Sequence, residues 1–157
     1  MLDVGARAPD FLLNDHDGNE VSLSDLVQNG PLILYFYPAD FTPGCTKEAC
    51  SIRDIHDDIK SVGLQVAGVS PQDADSHQRF REEHDLPFIL LSDEEKVAIK
   101  MYDVDGPFGV GVRRATFLIS QDRIIKDAMM ADVRISRHEE FIKKAIILRE
   151  TAGLKSD

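Results

Sequence analysis

The chain has no tryptophan and only two cysteines, Cys45 and Cys50. Two thiols in 157 residues cannot build the dense disulfide scaffold of a small secreted domain, and in a reducing compartment such a pair cycles rather than staples. Long apolar runs are missing too: nothing approaches the roughly 18 uninterrupted residues of a membrane helix. The start, Met1-Leu2-Asp3-Val4-Gly5, lacks the basic-then-apolar layout of a secretory signal, so the expected location is the cytoplasm. Basic charge is scarce, 18 Lys+Arg against 28 Asp+Glu, and a net charge of -10 argues against nucleic acid as a partner. Arg113-Arg114 and Lys143-Lys144 are only pairs. His16, His56, His77, His84 and His138 stand at no spacing from either cysteine that suggests tetrahedral zinc, and no metal is expected.

What is present is an ordinary globular balance. With 43% hydrophobic residues and no Pro/Gly/Ser-rich linker, repeat or charge block, residues 1-157 are read as one domain. Alternating apolar positions around Asp15-His16-Asp17-Gly18-Asn19 predict an N-terminal hairpin, with Ser24 capping a short turn through Gln28. Leu32 to Tyr37 is continuously apolar and aromatic, as in a strand covered on both faces. A helix from near Thr42 to Val62-Gly63 follows, then a strand over 64-70, a helix over 73-85 and a short strand over 88-91. Asp93 is the expected cap of a helix carrying Val97, Ile99, Met101 and Tyr102. A glycine-containing loop leads to a hairpin of 114-119 and 124-130, and Ser136 to Arg149 reads as an amphipathic helix with Phe141, Ile142, Ala145, Ile146 and Leu148 inward. This order gives an α/β class: a mixed central sheet flanked by helices, consistent with a thioredoxin-like fold carrying an N-terminal hairpin.

Cys45 falls in the first turn of the helix after that buried strand. Unpaired backbone N–H groups and the positive end of the helix dipole favour an anion there, which stabilises a thiolate. A lone cysteine is more often a small buried hydrophobe, but the neighbours of this one point to chemistry. Thr42 can cap the helix or aim its hydroxyl at a bound molecule, Pro43 suits the first helical position, and Gly44 lets a substrate approach the backbone. Of Arg113 and Arg114, side chains adjacent in a strand, only one can reach a given face. Glu48, three residues after Cys45, either orients an arginine or merely favours the helix N-terminus. Cys50 is a second redox thiol or a core residue.

The octet Pro38-Ala39-Asp40-Phe41-Thr42-Pro43-Gly44-Cys45 matches the pattern Pro-x-x-x-Thr-x-x-Cys and resembles the peroxiredoxins, thiol peroxidases that reduce hydroperoxides. Gly5 to Phe11, Gly68-Val69-Ser70, Leu91-Ser92-Asp93 and the strand from Arg114 carry the resemblance along nearly the whole chain. The spacing from Cys45 to Cys50 is similar to that of the bacterioferritin-comigratory, or PrxQ, branch.

This resemblance implies a Cys45 that attacks hydrogen peroxide or organic hydroperoxides to give a sulfenic acid, and a Cys50 that condenses with it to a disulfide. Thioredoxin or a glutaredoxin-like protein then restores both thiols. It selects Arg114, two residues before Thr116, with Glu48 orienting it. As charge grows on the leaving oxygen, Arg114, the Thr42 hydroxyl and the N–H groups of Gly44 and Cys45 meet it. Pro38 and Phe41 shield the thiolate. No haem, flavin or other cofactor is implied, and the expected assembly is a monomer or weak homodimer. Tyr102-Asp103-Val104 departs from relatives that carry glycine after the tyrosine, so the resemblance does not define loop 103-113. Two rivals stay open: a thioredoxin-type dithiol oxidoreductase, opposed by four residues between the cysteines rather than two, and a non-catalytic redox sensor switched by a Cys45–Cys50 bond.

Overall fold

In the computed structural model, which describes residues 1–155, β1 (Leu12–Asp15) and β2 (Glu20–Ser22) form the first hairpin. The strands β3 (Leu32–Phe36), β4 (Gln65–Ser70), β5 (Ile89–Ser92), β6 (Ala115–Ile119) and β7 (Ile125–Met130) complete one sheet of order β2-β1-β5-β4-β3-β6-β7. Neighbours β3, β4 and β5 run parallel, whereas the other pairings are antiparallel. Strand β3 lies inside the sheet between β4 and β6, and every one of its residues is buried, as its unbroken apolar run requires.

Alternation along β3 divides the interior. Leu32, Leu34 and Phe36 join Tyr102, Phe117 and Ile125 on one face of the sheet. Ile33, Tyr35 and Tyr37 face the other way, onto Cys45, Ala49 and Ile52 of α2 (Pro43–Asp54) and Phe141, Ile142, Ala145 and Ile146 of α6 (Ser136–Lys155). In β6 the same period of two sends Ala115, Phe117 and Ile119 to the first face, leaving Arg114, Thr116 and Leu118 on the Cys45 side.

Several local expectations change. The helix read as continuous to Val62 is two, α2 and α3 (His56–Ser61), parted at Ile55 with φ -111 and ψ 11. Ile52 and Ile59 are seven residues apart and both fully buried, so the apolar pattern runs across the break and hides it. Gly63, at φ 77, does end the second helix. The cap of α1 (Leu23–Leu26) is Ser22, whose Oγ accepts from Asp25 N at 3.0 Å; Ser24 instead donates its hydroxyl to Asp10. Asp73 caps α4 (Ala74–His84). Asp93 accepts from the N–H groups of Val97 and Ile99 at 2.8 Å at the start of α5 (Val97–Met101). Leu148 is exposed rather than inward, because the stripe 138-141-142-145-146 already fills the face of α6 that meets the sheet. In loop 103-113 a tight turn at Pro107–Gly109 is pinned by Lys96 Nζ, which donates to Asp105 Oδ1 at 3.0 Å and to the carbonyls of Gly109 and Gly111.

Gly68 in β4 lies where the Tyr35 ring crosses the sheet: a Cβ there would stand 2.7 Å from Tyr35 Cζ and 2.9 Å from Leu90 Cδ2. Tyr35 is stacked on Tyr37 at 5.4 Å between centroids and cannot swing aside. Gly68→Ala is therefore expected to destabilise the fold by about 1–3 kcal/mol through overpacking, seen as a lower urea midpoint with unchanged slope.

Candidate active site

The first turn of α2, the start of β6 and the first turn of α6 meet beside β3. Thr46 N donates to Thr42 O at 2.9 Å, the first helical hydrogen bond of α2, so the N–H groups of Gly44 and Cys45 lie in the turn that has no internal acceptors. Cys45 is 2% exposed, and Arg114 Nη2 donates to its Sγ at 3.3 Å. The same guanidinium donates through Nη1 to Glu48 Oε1 at 2.8 Å, with Glu48 fully buried. Arg114 thus bridges two acidic groups that lie one helical turn apart on α2.

The arginine's aim is fixed from behind. Asp132 Oδ1 accepts from Arg114 N at 2.9 Å, and its Oδ2 accepts from Arg113 Nε at 2.7 Å. Arg113 therefore points outward to a surface pair, while Arg114 turns in. In front, Gly44 leaves the room: a Cβ there would stand 3.1 Å from Arg114 Nη2 and 3.6 Å from Ile135 Cδ1. A side chain at this position would thus crowd the guanidinium.

Burial sets the electrostatics. Desolvation pushes the Glu48 carboxyl up to about 7, outweighing the charge and hydrogen bond of Arg114. Desolvation acts against the charged guanidinium as well, but Glu48 and Cys45 overcome it and hold Arg114 above its ordinary value. Arg114 is thus permanently cationic, whereas Glu48 sits near its titration point.

Other residues singled out from sequence take different parts. Thr42 occupies the cap position, but its side chain makes no capping bond; Oγ1 donates to Ala39 O at 3.0 Å and stays exposed at the rim. Phe41 adopts φ 65, a left-handed conformation unusual for a residue with a Cβ. Its ring meets Phe80 edge-on at 5.2 Å and is 44% exposed. Pro38 is half-buried beneath, and Cys50 is partly buried further along α2 with its thiol free. Among the described residues no group of three or more His, Cys, Asp or Glu side chains could hold a metal ion, and no helix is long and apolar enough to cross a membrane.

Two histidines belong to this neighbourhood without having been flagged. His138 of α6 places Nδ1 2.7 Å from Thr116 Oγ1 and 3.5 Å from Glu48 Oε2, while Nε2 lies 2.8 Å from Ala131 O. Its position four residues before Ile142 on an otherwise apolar stripe was the available signal. His77 of α4 sits 2.7 Å from Asp40 Oδ2, which also accepts from Ser76 Oγ; Asp40 Oδ1 accepts from Tyr37 at 2.6 Å. That buried network ties the loop entering α2 to α4.

Residues 4–128 match the AhpC/TSA family. The chain is 40% identical to a putative peroxiredoxin bcp of Coxiella burnetii, over 87% of this chain and 93% of that protein. It is 41% identical to peroxiredoxin Bcp of Bacillus subtilis, over 80% of this chain and 84% of the other. The solved structure of peroxidoxin BcpB from Mycobacterium tuberculosis superposes with a TM-score of 0.88 at 32% identity, covering 94% of this chain and 98% of that one. A buried cysteine at a helix start, bound by an oriented arginine in a thioredoxin-like sheet, and relatives alike over most of their length lead to one conclusion: the chain belongs to the AhpC/TSA family, as a peroxiredoxin of the Bcp/PrxQ kind and hence a thiol-dependent peroxidase.

Proposed function

We propose that Cys45 is the peroxide-attacking thiolate, that Arg114 stabilises both the thiolate and the leaving oxygen, and that Cys50 resolves the sulfenic acid within the chain. The observation that carries this reading is the 3.3 Å hydrogen bond from Arg114 Nη2 to Cys45 Sγ. A guanidinium with one fork arm on Glu48 keeps the second turned to the sulfur, and it needs no reorganisation when charge moves from sulfur to the departing oxygen. Backbone N–H groups at the helix start add donors on the same side, and the exposed Thr42 hydroxyl stands at the mouth. With sulfur so nearly covered, hydrogen peroxide and slender organic hydroperoxides are the substrates we propose. Phe41 and Pro38 form the apolar side of their approach.

The thiolate attacks one peroxide oxygen and the O–O bond breaks; the peroxide's proton passes to the leaving oxygen, giving water or an alcohol and a sulfenate on Cys45. After protonation, the Cys50 thiol gives up its proton as its sulfur attacks that of Cys45, and the displaced hydroxide takes up a proton and leaves as water, completing the disulfide. A dithiol protein of thioredoxin or glutaredoxin type then reduces the disulfide. Paired free thiols suit a reducing compartment, and the cytoplasm is the location we propose. Residues 1-157 act in this reading as one domain, a monomer or weak homodimer.

Cys45→Ser is expected to abolish peroxide reduction. Cys50→Ser reacts once and then accumulates sulfenic acid or over-oxidises, as mass spectrometry after one equivalent of peroxide would reveal. Loss of the first turnover in both variants would contradict the separate roles. Arg114→Ala should slow stopped-flow oxidation by on the order of tenfold to a thousandfold, the scale of losing one preorganised donor. Arg113→Ala, which removes only a surface pair with Asp132, should change it far less.

Both cysteines lie within α2, where five residues of regular helix separate their Cα atoms by about 9 Å. A disulfide spans at most about 7 Å, so α2 must unwind locally in each turnover. Amide exchange over residues 43 to 54 is expected to be faster in the disulfide form than in the reduced form, with distant strands unchanged. Equal protection in both forms would sink the opening.

A further inference from the structure

Glu48 has one oxygen that the arginine does not explain. Oε1 is held by Arg114, but Oε2 is buried without a hydrogen-bond partner and faces His138 Nδ1 at 3.5 Å. The histidine is fixed on both sides. Its Nε2 faces the Ala131 carbonyl at 2.8 Å, and a carbonyl only accepts, so Nε2 carries hydrogen. Nδ1 then holds either a lone pair, taking the Thr116 hydroxyl at 2.7 Å, or a second proton. A lone pair facing a bare carboxylate oxygen in a dry site is repulsive, and a buried acceptor without a donor costs about 1–3 kcal/mol.

We propose that Glu48 and His138 share one proton across this gap, and that the proton, by cancelling the charge of Glu48, leaves the cation of Arg114 to the Cys45 thiolate. The inference rests on Cys45 being the peroxide-reactive thiolate. It makes His138 a positioning residue, because it touches neither sulfur nor substrate and acts through Glu48.

Charge counting supports the assignment. Thiolate, guanidinium and ionised Glu48 together carry one uncompensated negative charge in a water-poor site; one shared proton makes the cluster neutral. The reaction keeps it neutral. Cys45 as thiolate reduces the peroxide to water or alcohol and becomes a sulfenate, which takes up one proton as the pair releases one. Glu48, now ionised, replaces the sulfur as the anion paired with Arg114. Atoms and charge balance without any further reactant. Burial raises the Glu48 carboxyl to about 7 and lowers the His138 ring, so the shared proton resides mainly on the carboxyl. The groups facing the pair are Arg114 and Thr116 at β6, Cys45 on α2, Asp132 after β7, Arg137 on α6 itself and Tyr35 on β3.

The test is infrared difference spectroscopy on the Cys50→Ser protein, reduced against treated with one equivalent of hydrogen peroxide. A protonated-carboxyl C=O band is expected in the reduced form and lost on oxidation. It should shift on 13C-glutamate labelling of otherwise unchanged protein, and be missing in Glu48→Gln. In parallel, the single-turnover rate with hydrogen peroxide is followed against pH. The parent should lose rate on the alkaline side as the pair gives up its proton; Glu48→Gln should lack this limb, and His138→Gln should displace it. Residues that only supported the fold would lower the rate by one factor at every pH. Absence of the carboxyl band, or three normalised profiles that superimpose, would overturn the shared proton and leave the role of Cys45 intact. A parent Cys45 that does not react with peroxide would overturn that role and this inference with it.

Discussion

A guanidinium buried between a carboxyl group and a sulfur is the constraint on which the rest of this molecule depends. Arg114 is 6% exposed, Glu48 and Cys45 are covered with it, and a cation so placed is tolerable only while acidic partners stay within reach. The fold therefore has to hold three elements in register: α2 for the acidic groups, the lead into β6 for the arginine, and the first turn of α6 for the histidine behind. Removing one partner leaves a buried charge unmatched, so chemistry and stability meet at this point. Gly44 fits the same demand, since a Cβ there would stand only 3.1 Å from Arg114 Nη2.

Sheet geometry meets the demand cheaply. In β3 the odd residues and in β6 the even residues face α2 and α6, so Tyr35, Tyr37, Thr116 and Arg114 share one surface without any special local structure. The loop from Pro38 to Thr42 needs more. Phe41 takes a left-handed backbone conformation, and buried Asp40 gathers bonds from Tyr37, Ser76 and His77. His77 Nε2 faces the Leu91 carbonyl at 3.0 Å. Both ring nitrogens thus lie against oxygen acceptors, and strand β5, helix α4 and the approach to α2 become one unit.

In the proposed cycle, activation and turnover set opposing requirements on α2. As a helix it supplies free N–H groups and keeps Glu48 against Arg114; as a helix it also keeps Cys50 beyond bonding distance. Opening it must draw Glu48 away from the arginine, and the protonation of that carboxyl decides whether a full ion pair or a weaker hydrogen bond has to break. The break at Ile55 limits how far unwinding need travel, because α3 begins its own hydrogen bonding beyond it.

Local signals were strong enough to determine the strand at 32–37, the first-turn cysteine with Pro43 and Thr42 around it, the two hairpins, and the arginine alternatives, because each rests on residues close in the chain and on periods of two or 3.6. Family resemblance chose Arg114. The sequence missed what depends on distance along the chain: the division of α2 from α3, the outward turn of Leu148, the use of Gly44 by an arginine seventy positions later, and the partnerships of His138 and His77. Those were decided by packing, since a polar residue on an apolar stripe has no meaning until the element it faces is in place. Residue chemistry marked the sulfur; only the assembled sheet and helices determined which charges surround it.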